Sequence, residues 1–350
     1  MDKSGKKEAW MCPSFQHIPA NIVTGFLGAG KTTAINHLLS AKPTGERWAV
    51  LVNEFGKIGI DAAMLGARTG VSIAEVSGGC LCCTAGQAFE VALNRLIRKT
   101  TPHRILVEPT GIGHPMKIIR TLSGGYYSEV LDLRATITLV DARKLHDSRY
   151  REHSSFQDQI RVADVLVANK SESYNEADRQ AFFDILHSSH PPKSAHAFVS
   201  FGQLDAALLD FPRLNASMEV THDTHPAYAN PLFSLGKEIA YDEPEPVSSD
   251  EWRVHEGSGK GYYSGSWLIG SDYQFDRAKL SLLLDSLSCA RVKGIMHCLD
   301  GWLKVNGGDG ELHFSECEPL KSSRLELMAL SPLDYAETER KLRTALIASP

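Results

Sequence analysis

The sequence predicts an α/β fold in which a mainly parallel sheet is doubly wound by helices and is followed by a smaller α+β domain. Three observations carry that prediction. From residue 20 to residue 213, apolar runs of strand length alternate with amphipathic runs of helix length, the pattern of parallel strands buried on both faces under crossover helices. The first apolar run leads into Gly25 to Thr33, GFLGAGKTT, which fits GxxxxGK[ST] through Gly25, Gly30, Lys31 and Thr32 and marks a P-loop NTPase sheet. After residue 251 strand-like segments outnumber helix-like ones and lie close enough for hairpins, which favours antiparallel pairing.

Taken in order, residues 1–19 form an N-terminal extension, basic at first and without an apolar core behind it, so they do not read as a signal peptide. Residues 20–213 form the P-loop domain. Its strand candidates are Ala20 to Val23, Trp48 to Val52, Val71 to Val76, Arg104 to Val107, Ala135 to Val140, Asp164 to Ala168 and His196 to Val199. Helix candidates are the segment after the P-loop, Gln87 to Lys99, Phe156 to Val162 and Glu176 to His187. Residues 214–250, rich in Pro, Ser and acids, read as a linker with surface loops. Their His222 and His225 read as solvated loop histidines. Residues 251–350 form the smaller domain, opening with YYSGSWLIG and closing with the helix-like DYAETERKLRTALI.

Bulk composition narrows the partners. A net charge of −5, with no long run of Lys or Arg, gives no electrostatic footprint for nucleic acid or an anionic membrane. No apolar stretch approaches the ~18 residues of a membrane-spanning helix. The chain has seven cysteines, three of them within four positions, which suits metal or redox chemistry in a reducing cytoplasm better than a secreted disulfide framework.

Glycines in the P-loop let successive N–H groups face the phosphates of a nucleotide, and the helix that starts there adds its positive end. Gly25, Gly28, Ala29, Gly30, Lys31, Thr32 and Thr33 are therefore the phosphate-binding candidates. Lys31 would reach the β- and γ-phosphates, and Thr32 would offer its hydroxyl to Mg²⁺. Leu106 to Gly111, LVEPTG, delivers Glu108 to the same sheet edge to organise Mg²⁺ or its water, and Gly111 to bring an N–H near the γ-phosphate. Glu54, in Asn53-Glu54-Phe55-Gly56, supplies another carboxylate at that edge. Lys31, Glu54 and Glu108 are the catalytic candidates, with either carboxylate positioning the attacking water.

Base recognition is assigned to Asn169, Lys170 and Glu172 in Asn169-Lys170-Ser171-Glu172, one residue from NKxD. A carboxylate there can accept both N1–H and N2–H of guanine, so guanine is favoured over adenine or weak selectivity. Gly78 to Thr84, GGCLCCT, places Cys80, Cys82 and Cys83 on one loop. Three thiolates fill three corners of a tetrahedral site and select Zn²⁺ or Cu⁺; a buried apolar cluster or a redox pair are the other readings.

With GFLGAGKTT, NEFG, GGCLCC, EPTG and NKSE in this order, the chain resembles the CobW-type metallochaperone GTPases, and among them the YeiR-like zinc-binding members. The resemblance covers nearly the whole chain, FDRAKLSLLLDSL and RVKGIMHCLDGWLKVNG of the smaller domain included. It implies a metal-responsive GTPase whose CxCC loop binds zinc and whose GTP cycle gates metal delivery to an unidentified client metalloprotein; hydrolysis of GTP to GDP and phosphate should be slow, as is usual for a switch that awaits a partner's contribution. On that carry-over Gly28 to Thr33 hold phosphates and Mg²⁺, Glu54 belongs to a switch loop, Glu108 and Gly111 match a Walker B element, and Cys80, Cys82 and Cys83 ligate zinc. A homo-oligomer is allowed.

The chain departs from the family pattern in three places. Lys57 replaces a second acid, Glu172 replaces an Asp, and the His-rich tract of some relatives is reduced to His222 and His225. Cys12-Pro13 faintly resembles a client-docking motif. Two other functions share these motifs: a GTP-gated zinc buffer or sensor without significant turnover, and a small-molecule kinase, which leaves CxCC unexplained.

Overall fold

The computed structural model describes residues 17–53, 68–76, 86–214, 247–259, 262–287, 289–308 and 311–348. Two sheets organise them. The first contains β1 (Ile18–Gly25), β2 (Trp48–Asn53), β3 (Val71–Val76), β4 (Arg104–Glu108), β5 (Leu131–Leu133), β6 (Ile137–Asp141), β7 (Val165–Asn169) and β8 (Ala195–Val199). Its order is β3-β2-β4-β1-β6-β7-β8, with short β5 also paired to β1. All of these pairings are parallel.

Helices cover both faces because residues alternate between two cores. Ile22, Ala49, Leu51, Ile105 and Val107 join one apolar cluster with Phe89, Leu93 and Ile97 of α2 (Gly86–Thr100) and Ile118 of α3 (Pro115–Ser123). Their neighbours Val23, Trp48, Val50, Val52 and Leu106 join the other, under Ala34, Ile35 and Leu38 of α1 (Lys31–Ser40). The side-chain period of two is thus satisfied on each side. Among the described residues no helix is long and apolar enough to cross a membrane.

Strand order places the chemistry. β1 lies between β4 and β6, with Ile22 beside Val107 and Gly25 beside Leu139. The carboxyl ends of β1, β4, β6 and β7 therefore converge where strand order reverses, and there an open α/β sheet binds its ligand. One edge differs from the expectation. The strand expected from Ala135 begins at Ile137, and the one expected from Asp164 begins at Val165, because the Thr136 N–H donates to the Asp164 side chain at 2.8 Å and the Ala135 N–H to the carbonyl of Phe211 at 3.0 Å. Asp164 thus spends its carboxylate closing the strand entrance.

The second sheet runs β14-β13-β12-β15-β10-β9, through β9 (Trp252–Gly259), β10 (Tyr262–Gly270), β12 (Arg291–Cys298), β13 (Gly301–Gly308), β14 (Glu311–Glu316) and β15 (Ser322–Ala329). Those neighbours pair antiparallel. Short β11 (Gln274–Phe275) pairs parallel with β12 and antiparallel with β16 (Leu346–Ala348). On one face Val292, Leu325, Leu327 and Trp267 pack against Leu280 and Leu284 of one helix, Arg277–Ser286, and Leu342 of another, Tyr335–Thr344. The residues alternating with them, Arg291, Lys293, Glu326 and Met328, are buried too. Met328 shares an apolar cluster with Phe26 and Leu27 of the P-loop, so that face of the second sheet closes on the first.

Candidate functional site

The P-loop forms because its glycines reach conformations and clearances closed to other residues. Gly25 has φ of 149°, and a β-carbon there would lie 2.4 Å from the carbonyl oxygen of Leu139 in β6. Gly30, at φ of 91°, is the N-cap of α1, and its β-carbon would lie 2.3 Å from Asn169 Nδ2. Left-handed backbone and close approach together demand glycine at both positions.

Lys31 folds back over the loop and donates to the carbonyls of Gly25 at 2.9 Å and Phe26 at 3.3 Å. Burial is the main cause that lowers its ammonium from the ordinary 10.5 to about 7; Glu108 pulls the other way, and Arg291 and Lys293 add to the lowering. Such a buried cation is an anion-seeking group, and phosphate charge would restore its proton. Thr32 donates its hydroxyl to Glu108 Oε1 at 2.9 Å. Glu108 is itself buried, and burial raises its carboxyl pKa against the opposing pull of Lys31, the Thr32 hydrogen bond and Arg291. Its other oxygen, Oε2, is buried without a hydrogen-bond partner.

A hydroxyl and a carboxylate held together, with one carboxylate oxygen left over, fit a hard divalent cation such as Mg²⁺. Gly111, two residues past Pro109, lies against this group: a β-carbon on it would meet Leu27 Cδ2 at 2.9 Å and Lys31 Nζ at 3.1 Å. Gln159 fixes it by donating to its carbonyl at 2.9 Å.

The residues expected to meet the base begin at the end of β7. Asn169 donates Nδ2 to the carbonyl of Ala29 at 2.9 Å and accepts at Oδ1 from the Gly202 N–H at 3.0 Å. One side chain thereby ties the P-loop to the loop after β8. Lys170 follows in a left-handed conformation, φ 64°, with Nζ 3.4 Å from Asp141 Oδ2 and 3.6 Å from Glu311 Oε2. Glu172 is exposed and accepts from the Phe201 N–H at 3.3 Å. Ser171 and Ser200 share a hydroxyl hydrogen bond of 3.0 Å.

Gly25, Gly28, Ala29, Gly30, Lys31, Thr32, Thr33, Glu108, Gly111, Asn169, Lys170 and Glu172 thus lie along one rim, with Thr33 turned to solvent. Glu54, Lys57, Cys80, Cys82, Cys83, His222, His225 and the Cys12-Pro13 pair fall outside the described residues. Among the described residues no group of three or more His, Cys, Asp and Glu is placed to hold a metal ion.

Sequence reasoning passed over several residues at this rim. Ser200, Phe201 and Gly202 follow β8 directly, and a turn after the last parallel strand was the signal available. Asp141 ends β6 and binds Arg143 through both carboxylate oxygens, at 2.9 and 2.6 Å. From the second sheet, Lys293 of β12 donates to Thr32 Oγ1 at 2.8 Å, and Glu311 of β14 accepts both guanidinium ends of Arg143.

The family pattern described as CobW/HypB/UreG, nucleotide-binding domain, matches residues 19–195. The chain is 36% identical over 345 residues to the zinc chaperone YeiR of Escherichia coli K12, covering 94% of this chain and 99% of that protein. It is 33% identical over 319 residues to the zinc chaperone YjiA of the same organism, covering 87% and 88% respectively. Over 163 residues it is also 33% identical to the zinc-regulated GTPase metalloprotein activator 1 of Schizosaccharomyces pombe, covering 44% of this chain and 39% of that one.

Proposed function

The chain belongs to the CobW/HypB/UreG family, and from that premise we propose that it is a zinc-binding metallochaperone GTPase, coupling GTP binding and hydrolysis to zinc transfer to a client metalloprotein. The observation that carries the nucleotide half is the contact of Thr32 with Glu108 at 2.9 Å, with Glu108 Oε2 unpartnered and Lys31 beside it. The zinc half rests on the donor chemistry of Cys80, Cys82 and Cys83 and on the YeiR and YjiA relatives, both zinc chaperones.

Lys31 and the P-loop N–H groups would take up charge on the phosphoryl oxygens as the bond to the γ-phosphate loosens. Thr32 and Glu108 would hold Mg²⁺, which when bound neutralises charge on the β- and γ-oxygens. Asn169 orients the base pocket, and Glu172 offers the carboxylate for guanine. Turnover is slow, as befits a switch that awaits a partner's contribution, with Thr32 and Glu108 committed to Mg²⁺. Glu54 is the candidate to orient it. Zinc is cargo: three thiolates leave a fourth corner for a client's ligand, and a reducing cytoplasm keeps the cysteines from pairing as disulfides.

Phosphate release from GTP, followed with and without Zn²⁺ in the parent and in the double variant Cys82→Ser, Cys83→Ser, tests the coupling. The parent's rate is expected to change with zinc and the variant's to stay constant. A parent rate indifferent to zinc would remove the chaperone cycle and leave a plain GTPase.

A further inference from the structure

The second sheet reaches into the phosphate end of the site. Arg291, Lys293 and Glu326 alternate with core residues, a pattern that ordinarily puts charges in solvent, yet they are 6%, 5% and 1% exposed. Lys293 Nζ sits 2.8 Å from Thr32 Oγ1, a contact spanning 261 positions of sequence. Glu326 stands directly opposite Lys293 across the β12-β15 pairing, and both its carboxylate oxygens are buried without a hydrogen-bond partner. Above the loop, the Ala290 carbonyl lies 3.3 Å from where a β-carbon of Gly28 would stand.

Taking Thr32 and Glu108 as the Mg²⁺ ligands of the function proposed above, we propose that Lys293 is a positioning residue of the nucleotide site: it holds the Thr32 hydroxyl while Mg²⁺ is absent and moves to Glu326 when Mg²⁺ and nucleotide load. The charges dictate the exchange. The Thr32 hydroxyl spends its hydrogen on Glu108 and one lone pair on Lys293, so one lone pair remains for a metal. A metal at ~2.1 Å on that lone pair and an ammonium on the other would stand about 4 Å apart, two cations in a buried place where like charges repel strongly. Three cations already converge there, Lys31, Arg291 and Lys293, with Glu108 drawn in among them. Glu326, opposite Lys293 in the β12-β15 register, is an unsatisfied buried acceptor, and satisfying it offsets the Thr32 hydrogen bond that Lys293 gives up. Because Lys293 is rooted in β12, the second sheet senses the contents of the first.

The test uses the full chain, a fluorescent GDP analogue and a Mg²⁺ titration, with nucleotide retention as the readout. Lys293→Met should lower the Mg²⁺ concentration for half-retention by about tenfold, the scale of a single coupling free energy. Lys293→Arg, which keeps the cation, should stay near the parent, and Glu326→Gln, which weakens the landing place, should raise the midpoint. Hydrogen exchange on the parent needs no variant: the stretch of β12 around Lys293 should change its exchange rate between the empty protein and the protein loaded with Mg²⁺ and GDP. Equal midpoints for Lys293→Met and parent, or unchanged exchange in β12, would overturn the inference while a Mg²⁺-dependent guanine site stood. Failure of the parent to retain guanine nucleotide at any Mg²⁺ concentration would overturn both.

Discussion

The second sheet touches both ends of the rim proposed to hold the nucleotide, but with opposite charges and at different depths. At the phosphate end it offers a cation, Lys293, to a buried hydroxyl. At the base end it offers an anion, Glu311, whose side chain is 45% exposed, to Arg143 and Lys170. A hydrogen bond to a buried charged group contributes roughly 1.5–3 kcal/mol, whereas an exposed ion pair contributes roughly 0–1 kcal/mol. The phosphate end is therefore where the two sheets are energetically coupled, and the base end mainly sets their register.

The sharpest way to break that contrast is at Lys31. Lys31→Ala should reduce GTP hydrolysis by about 100-fold or more, the scale of losing a charge-stabilising donor, and phosphate release from purified protein measures it. Hydrolysis that survived unchanged would move the chemistry away from this end. Next comes Gly30, which serves both ends at once, since its β-carbon would meet the Asn169 amide at 2.3 Å. Gly30→Ala should cost on the order of 1–3 kcal/mol in backbone strain. Calorimetric titration should find weaker binding of GDP and of guanosine alike. Weakening of GDP alone would show that the two ends are less joined than Asn169 suggests.

A smaller effect is expected at Glu172. Glu172→Ala should cut the preference for GTP over ATP by about tenfold to 100-fold, since a hydrogen bond to a charged group contributes roughly 1.5–3 kcal/mol. Competition binding measures it, and an unaltered preference would move base selection elsewhere. Smallest of all is Glu311. Arg143 is the main cause that holds its carboxyl below the ordinary 4.5, so the pair stabilises the fold above that value, and the contribution fades as pH falls through the lowered folded value. Solvent exposure keeps it under ~1 kcal/mol. Melting curves of the parent and Glu311→Gln should differ slightly at pH 7, converge in acid, and converge at high salt. A large gap at pH 7 would erase the difference between the two ends.

What could be read from the chain was local. GFLGAGKTT announces its turn because each glycine answers a backbone demand of its own neighbourhood, and WAVLV, RILVE and DVLVAN announce strands because burial on both faces leaves continuous apolar runs. Glu108 and Asn169 followed at once, since the ends of parallel strands share one edge. Lys293 was illegible for the opposite reason. In RVKGIMHC an alternating Arg and Lys describe a strand with a wet face, and only the docking of a second sheet, remote in sequence, dries it. The pairing of Arg143 with Glu311 is hidden in the same way. Glu172 was assigned by its position in NKSE, but its contact with the Phe201 N–H depends on a loop whose sequence, Ser200-Phe201-Gly202, carries no motif.

Asn169 has one more implication. Its side chain rivets the loop before α1 to the loop after β8, so on the proposed placement of the base the floor beneath a guanosine is assembled before any guanosine arrives. Little ordering entropy is left to spend on the nucleoside. On that placement, discrimination between triphosphate and diphosphate would be made above that floor, by whatever the outermost phosphate displaces.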